Sequence, residues 1–470
     1  MKAQLMIVTL TASVVAGCTV GPNYRRPVVT SPAVFRGSAS GAAAPDLGSL
    51  ADLKWFEIFK DERLQAMVRT ALVQNHALRD AIVRVEAARA NLGITRADQF
   101  PAVDAGASVT TVRSSASGTF PLPEGVDQTR TFGSVALNLL SFELDVWGRL
   151  RRATEAARAD LLASEENRRA VMTTLVGDVA SAYFNLLELD MELAIARRTL
   201  TAREESLQLI RARAQGGLGT MVEVRQGEQL VYAAAQAIPN LERLIEQTEN
   251  QISLLLGGSP GAVTRGGPLT EQEQPPSVPA GLPSALLERR PDIRAAEQNL
   301  VAANAIIGVA KAAYFPRISL TGFLGFQSNQ LSNLFTGPTR AWQFAPQVSQ
   351  PIFNAGRIKS NVRLARAQEQ IALIQYDRTI QTAFREVSDT LVEYQKVREI
   401  RGQQQLLVAT LQDRSRLSYI RYRGGVDTLL NALDADRDLF AAELGLAQTR
   451  RNELLALVQL YRALGGGWQV

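Results

Sequence analysis

Gly216-Gly217-Leu218-Gly219-Thr220 reappears as Gly424-Gly425-Val426-Asp427-Thr428, 208 positions on (424 less 216). The same offset carries Gly148-Arg149 to Gly356-Arg357 and Leu256-Gly257-Gly258 to Leu464-Gly465-Gly466. Upstream, Ala87-Ala88, Gly93 and Phe100-Pro101 return as Ala302-Ala303, Gly308 and Phe315-Pro316, at an offset of 215 (315 less 100). A gapless repeat over about a hundred residues specifies one body of two similar halves rather than a row of unrelated domains.

Between these marks the chain is written for long helices. Aromatic residues are only 6% and hydrophobic residues 46%, and Ala, Leu, Gln, Arg and Glu dominate long stretches, a bias that suits coiled coils better than a compact core. From Arg149 to Gln215 there is no proline and Gly177 is the sole glycine. Roughly 65 residues at about 1.5 Å rise give a rod of about 100 Å. Leu175, Val179, Ala182, Leu186, Leu189, Leu193, Ala196, Leu200, Arg203, Leu207, Ile210 and Ala214 step by four and three, a heptad seam that only Arg203 violates. The glycines end the rod. Thr220 then N-caps a return helix, with Glu223 completing a capping box. Leu230, Ala234, Ala237, Leu241, Leu244, Thr248 and Leu255 keep the rhythm to Leu256, and Pro239 predicts a kink. The second half repeats the plan, with a rod from Arg357 to Arg423, a return helix to Leu464 and a seam made more polar by Gln404, Ser415 and Ser418.

Elsewhere the period falls from 3.6 to 2. Val103, Ala105, Ala107 and Val109 alternate with polar or small residues, as do Val135, Leu137 and Leu139, then Ile318, Leu320 and Leu324, then Trp342, Phe344 and Val348. Four strands of about ten residues, each with one apolar and one polar face, have the length and dyad pattern of a membrane barrel. Soluble hairpins packed on helices share that period. Four strands cannot close a barrel, so the membrane alternative needs an oligomer. Ahead of the first strand, residues from about Asp61 to Asp98 are expected to form one helix with Leu64, Met67, Val68, Ala71 and Leu72 on its inner face, stopped at Phe100-Pro101. No window is expected to match a transmembrane helix, which leaves strands as the only membrane-crossing element.

The N-terminus adds a targeting signal. Lys2, the apolar run Leu5–Val15 and Val15-Ala16-Gly17-Cys18 read as a secretion signal ending at a lipidated cysteine. Cys18 is the one cysteine, so it has no internal disulfide partner. Thr19 follows it where inner-membrane lipoproteins carry Asp, which points to the outer membrane. The net charge of +5 comes without a basic patch interleaved with aromatics, which argues against nucleic acid. His76, the sole histidine, lacks partners for a metal or a catalytic triad, and the glycine turns lack the Lys-Ser/Thr of a phosphate loop. No enzyme activity and no cofactor is expected beyond a diacylglycerol and N-acyl lipid on Cys18. Trp468 is expected to pack and Trp342 to anchor at a membrane interface.

The segments then fall as follows: signal peptide 1–17; lipidated extended leader 18–60; first repeat 61–258, with strands about 102–113 and 131–142 and a helical hairpin about 149–256; connector 259–281; second repeat 282–466, with strands about 317–328 and 341–351 and a hairpin about 357–464; tail 467–470. Specific residues within these segments resemble the outer-membrane efflux lipoproteins of the TolC/OprM type, the NodT family of outer membrane factors. They are Cys18-Thr19-Val20-Gly21-Pro22-Asn23-Tyr24 with Pro27, then Leu282-Pro283-Ser284 with Leu287, then Arg289-Arg290-Pro291-Asp292-Ile293-Arg294 with Ala296-Glu297. Asn304, Ile307-Gly308, Ala310, Phe315-Pro316 and Ile318-Ser319-Leu320 continue the likeness, and so do Tyr422-Arg423-Gly424-Gly425-Val426-Asp427 and Leu433-Asp434-Ala435.

The resemblance implies a mainly α fold with membrane β, in which three protomers build a twelve-stranded outer-membrane barrel over a helical periplasmic tunnel. It implies a passive duct for drugs or other small toxic compounds, working with a periplasmic adaptor and an inner-membrane pump of the RND type. A periplasmic coiled-coil lipoprotein without a pore is the alternative. The gate of the family maps onto Tyr419, Tyr422, Asp427, Leu430 and Asp434, with Asp436 and Asp438 nearby. Three copies of a carboxylate around a narrow axis repel one another and attract cations. Opening is expected to break contacts of Asp434 or Asp427 with Arg421 or Arg423. A solvated helix face bearing Asp434, Asp436 and Asp438 is the bland alternative. The turns at Gly216, Gly217, Leu218, Gly219, Gly424, Gly425 and Val426 are expected to touch the adaptor, with Leu218 and Val426 as apolar points. Gln226 stands where Asp434 does, which marks the second hairpin as the gate.

Overall fold

The computed structural model describes residues 19–32, 34–36, 49–115, 125, 127–272 and 283–469. The expected signal peptide, the lipidation at Cys18, much of the leader and part of the connector lie outside them. Two compact units are present. One comprises Met1–Pro27, Val85–Ala163 and Ala296–Tyr376, and the other Val28–Arg84, Ser164–Ala295 and Asp377–Val470.

The first unit holds a single antiparallel sheet. Its strands β1 (Val103–Arg113), β2 (Thr129–Leu144), β3 (Arg317–Ser328) and β4 (Arg340–Ser349) lie in sequence order. The two expected hairpins are thus joined through β2 and β3 into one sheet. The register sets Ala105 beside Leu137, Leu137 beside Leu324 and Leu324 beside Trp342 on one face. On the other face Asp104 adjoins Asn138, Asn138 adjoins Phe323 and Phe323 adjoins Gln343. Ser108 and Ser134 hydrogen-bond across this polar face at 2.8 Å. A register shift between Leu139 and Phe142 changes the parity of β2, so Phe142 and Leu144 rejoin the apolar face opposite Leu320 and Ile318. The middle of that face is open, with Leu137 52% exposed, Leu324 57% and Trp342 73%, while Phe142, Leu320 and Ile318 are half-buried. Only its rim is covered among the described residues, where Phe335 of the β3–β4 connection packs on Phe326 with ring centroids 5.7 Å apart.

The start of the described chain is tied into the same unit. Val20 N donates to Trp147 O at 3.0 Å and Arg152 Nη2 to Asn23 Oδ1 at 2.6 Å. Tyr24 and Arg26 both reach Glu297, at 3.2 and 2.9 Å. Gly21 crosses Gly308 so closely that a Cβ on Gly21 would lie 2.5 Å from the Gly308 Cα, and its φ of +112° also demands glycine.

The second unit is helical, several of its helices have residues in the first unit as well, and the helical repeat holds in length. After a short turn of helix at Trp55–Ile58 come α1 (Glu62–Gln74) and α2 (His76–Ala97). The first hairpin is α3 (Arg149–Gln215) and α4 (Met221–Leu255), and the second half supplies α5 (Pro283–Arg289), α6 (Pro291–Ala312), α7 (Arg357–Arg423) and α8 (Leu429–Ala463). Both rods, α3 and α7, have 67 residues, and both return helices, α4 and α8, have 35. The single helix expected over 61–98 is in fact two. Asn75 breaks it, donating from Nδ2 to Leu255 O at 2.8 Å while its Oδ1 accepts from Leu78 N at 3.1 Å. Arg290 does the same in the second half, donating to Ala463 O at 3.1 Å. Each break therefore caps the C-terminus of its own half's return helix, where orphan carbonyls need donors. Helix α4 continues through Pro239.

One expectation about membranes fails. Helix α3 contains an 18-residue window with mean hydropathy 1.3, long and apolar enough to cross a bilayer, but 61% of that window is buried within the fold. Its apolarity belongs to the heptad seam, where Leu175, Val179, Ala182, Leu186 and Ala196 are buried.

Candidate functional site

The two hairpin turns are built alike and finished differently. In each, a glycine in the left-handed region ends the rod: Gly217 at φ +75° and Gly425 at +72°. Leu218 N then donates to Arg213 O at 2.9 Å, and Val426 N to Arg421 O at 3.1 Å, the six-to-one bond of a Schellman end. Gly216, Gly217, Gly424 and Gly425 are exposed, and Leu218 and Val426 project as large apolar tips.

The difference lies at Gly219 and Asp427. In the first turn the expected capping box forms, with Thr220 N donating to Glu223 Oε2 at 2.7 Å and Glu223 N to Thr220 Oγ1 at 3.3 Å. A Cβ on Gly219 would come 2.9 Å from that carboxylate. In the second turn Thr428 makes no side-chain cap. Asp427 instead accepts from Arg421 Nε at 3.0 Å, Thr428 N at 2.8 Å and Asn431 Nδ2 at 2.7 Å. Arg421 first, then Asn431 and the Thr428 amide, hold its carboxyl below the usual carboxylate range. Arg213, the counterpart of Arg421, has no aspartate in its own turn and lies 4.7 Å over the Tyr422 ring.

The residues expected at a gate are not one cluster. Tyr422 is 4% exposed, inside a core of Leu207, Ile210, Val224, Leu429 and Leu433 from all four hairpin helices. Tyr419 packs against the same core, its hydroxyl pushed up by burial. Leu430 is 53% exposed. Asp434 pairs with Arg437 at 3.2 Å on its own helix, so the expected contact with Arg421 or Arg423 is corrected; only Asp427 with Arg421 is formed.

Sequence reasoning passed over a buried ion pair between the hairpins. Arg203, the one break in the α3 heptad seam, is 4% exposed, and its Nε donates to Asp436 Oδ2 at 2.7 Å. Its Nη1 donates to Leu230 O at 2.9 Å, and the guanidinium lies 5.0 Å over Phe440. Further polar rungs join α3 to α8, with numbers falling on one helix as they rise on the other. Arg198 meets Glu443 at 2.6 Å, Glu192 meets Gln448 at 2.9 Å and Glu188 meets Arg451 at 3.5 Å. Asp438 pairs with Arg414 of α7 at 2.8 Å. Asp436 is therefore a buried joint between helices, whereas Asp438 makes an exposed pair with Arg414, as the solvated-face alternative has it. The signal was present in the sequence: a charge at a heptad core position stays only if a partner meets it.

The Arg289-Arg290-Pro291-Asp292 signature serves structure. Buried Arg290 holds Asp292 at 2.6 Å, Glu386 at 2.8 Å and the α8 C-terminus. Trp468 donates to Gly465 O at 3.0 Å under the Arg169 guanidinium. Among the described residues no group of three or more His, Cys, Asp or Glu side chains could hold a metal.

The profile of the family described as Outer membrane efflux protein matches residues 67–258 and 282–466. The chain is 38% identical over 476 residues to the probable efflux pump outer membrane protein TtgC of Pseudomonas putida, covering 100% of this chain and 96% of the relative. It is 39% identical over 465 residues to the outer membrane protein OprJ of Pseudomonas aeruginosa, covering 98% and 95%. Among solved structures, the open state of the MtrE outer membrane channel of Neisseria gonorrhoeae superimposes with a TM-score of 0.86 at 33% identity, covering 96% of this chain and 99% of that one. A membrane protein of Pseudomonas aeruginosa superimposes with a TM-score of 0.89 at 38% identity, covering 96% and 98%.

Proposed function

Because the chain belongs to the outer membrane efflux protein family, we infer that it is the outer-membrane channel of a tripartite efflux pump, a duct that exports toxic small compounds. The observation that carries this reading is the sheet with one largely exposed apolar face and one polar face. Lipid can cover the first while water fills the second. Strands β1 and β4 are open edges, and lipid tolerates no unpaired backbone. Three copies paired edge to edge, twelve strands in all, would satisfy both. The duct performs no covalent chemistry; its work is selective opening.

Several finer features are part of the same proposal. The mature chain begins at Cys18 with a diacylglycerol and an N-acyl lipid, after a signal peptide of 1–17. Thr19, the next residue, lies against Gly148 at the end of the sheet, which suits a lipid entering the membrane beside the barrel. The exposed tips at Gly216–Gly219 and Gly424–Val426 take a periplasmic adaptor, and an inner-membrane pump of the RND type supplies the energy. The gate comprises Leu430 and Asp434 as the side chains exposed to an axis, Asp427 as the brace of the second turn, and Tyr419 and Tyr422 as the buried hinge behind them. Opening swings the second hairpin away from the first and strains the Arg203–Asp436 pair.

Two measurements test the reading. The Cys18→Ala protein is expected to need detergent for release from outer membranes, and the purified protein to conduct in planar bilayers. Release into buffer together with the absence of conductance would show a lipid-tethered scaffold instead.

A further inference from the structure

The rungs between α3 and α8 differ in kind. Arg203–Asp436 and Arg198–Glu443 are pairs of opposite charge. The next rungs, farther from the turn, put two acids together. Glu188 is 3% exposed and Glu192 8% exposed; four residues apart on α3, they stand one helical turn apart on the same face. Two carboxylates at that spacing and away from water cannot both be charged without a large cost, so the pair keeps one proton.

The neighbours do not neutralise them. From α8, Gln448 Nε2 donates to Glu192 at 2.9 Å, a neutral partner, and Arg451 stands 3.5 Å from Glu188. Of the other charges at this level, Arg450 on α8 is half-buried and neighbours Arg401, and the rest are engaged elsewhere. Asp190 on α3 and Glu249 on α4 are held by Arg265, and Arg398 and Arg401 on α7 by Glu453 of α8. One cation thus faces two acids.

We propose that Glu188 and Glu192 form a proton-sharing latch between the first and second hairpins, closed while the pair retains a proton and loosened when both carboxyls ionise. It lies roughly 40 Å of helix from the turn, at about 1.5 Å per residue, well away from the side chains assigned to the gate. Burial, then Glu192, push the Glu188 carboxyl up to about 8, with Arg451 acting the other way. Because this is a raised carboxyl, its contribution to the docked seam is complete at acid pH and is lost as pH rises through that value. The latch is a property of the hairpin seam and does not depend on the channel reading, so its failure leaves that reading intact.

The test is hydrogen–deuterium exchange of peptides spanning 185–200 and 440–455 in the detergent-purified protein from pH 6 to 10. Wild type is compared at each pH with Glu188→Gln and Glu192→Gln, which cancels the chemical dependence of exchange on pH. Release of one proton per protomer is expected to lower protection of both seam helices by up to about tenfold per pH unit as pH rises to about 8, and to level off above it, in wild type alone. Arg451→Gln is expected to move the loss to higher pH, which lost packing alone would not do. Parallel pH profiles for wild type and both Gln variants would overturn the latch, as would an Arg451→Gln profile that does not move.

Discussion

Arg203 shows how one residue can state a tertiary fact that the sequence cannot complete. Its place in the heptad demands burial, and its charge demands a partner, which is Asp436, 233 positions away. Removing only the arginine leaves a carboxylate enclosed in the seam. Arg203→Met is expected to destabilise the hairpin pair by about 3–5 kcal/mol, read as a lowered unfolding midpoint. The double variant Arg203→Met with Asp436→Leu should recover most of that loss, because an apolar pair of similar volume carries no desolvation cost. A single variant no worse than the exposed Arg198→Ala would contradict the assignment. Asp434 makes a different prediction. Its partner Arg437 lies on the same helix, so Asp434→Ala should leave stability unchanged and make the closed channel leak. Cells carrying it are expected to become more sensitive to large antibiotics such as vancomycin, and unchanged bilayer conductance would count against the gate.

Among the elements, the two turns supply an internal control. The Thr220 hydroxyl caps α4, whereas Thr428 makes no side-chain cap on α8, and its own N–H is held by Asp427. Thr220→Ala is expected to cost about 1 kcal/mol and Thr428→Ala a few tenths at most, measured as unfolding midpoints of otherwise identical proteins. Equal effects would mean that the turns are braced alike. The break at Asn75 illustrates what elements conceal. Leu72-Val73-Gln74-Asn75-His76 contains neither proline nor glycine, so helical periodicity runs through it unmarked. The cause is the Leu255 carbonyl arriving from another helix. The duplicate held the clue, since Arg290-Pro291 occupies the matching place with a proline at the first helical position.

For the whole molecule, the sheet decides whether the chain is a membrane protein. Its faces are fixed by parity, so neighbouring residues on one strand should respond oppositely to charge. Leu137→Arg, on the open middle of the apolar face, is expected to cost about 2–4 kcal/mol near the bilayer centre and to impair assembly in the outer membrane. Asn138→Arg, on the polar face, should assemble normally. Detergent extraction of outer-membrane fractions separates the two, and equal yields would remove lipid from the apolar face.

The sequence by itself determined the duplication, the rod and return lengths, the turn glycines, the strand period and the capping box at Thr220. Each of these is written in contiguous residues, where backbone geometry converts spacing directly into shape. Only the tertiary structure decided the partners of isolated polar groups. Asp436 meets Arg203, Asp434 meets Arg437, Tyr422 turns into the core beneath Arg213, and Glu188 and Glu192 are buried together opposite Arg451 and Gln448. A periodic pattern specifies which face of a helix is buried. It does not specify which residue of a distant helix arrives there, and for a buried charge that arrival sets the energy.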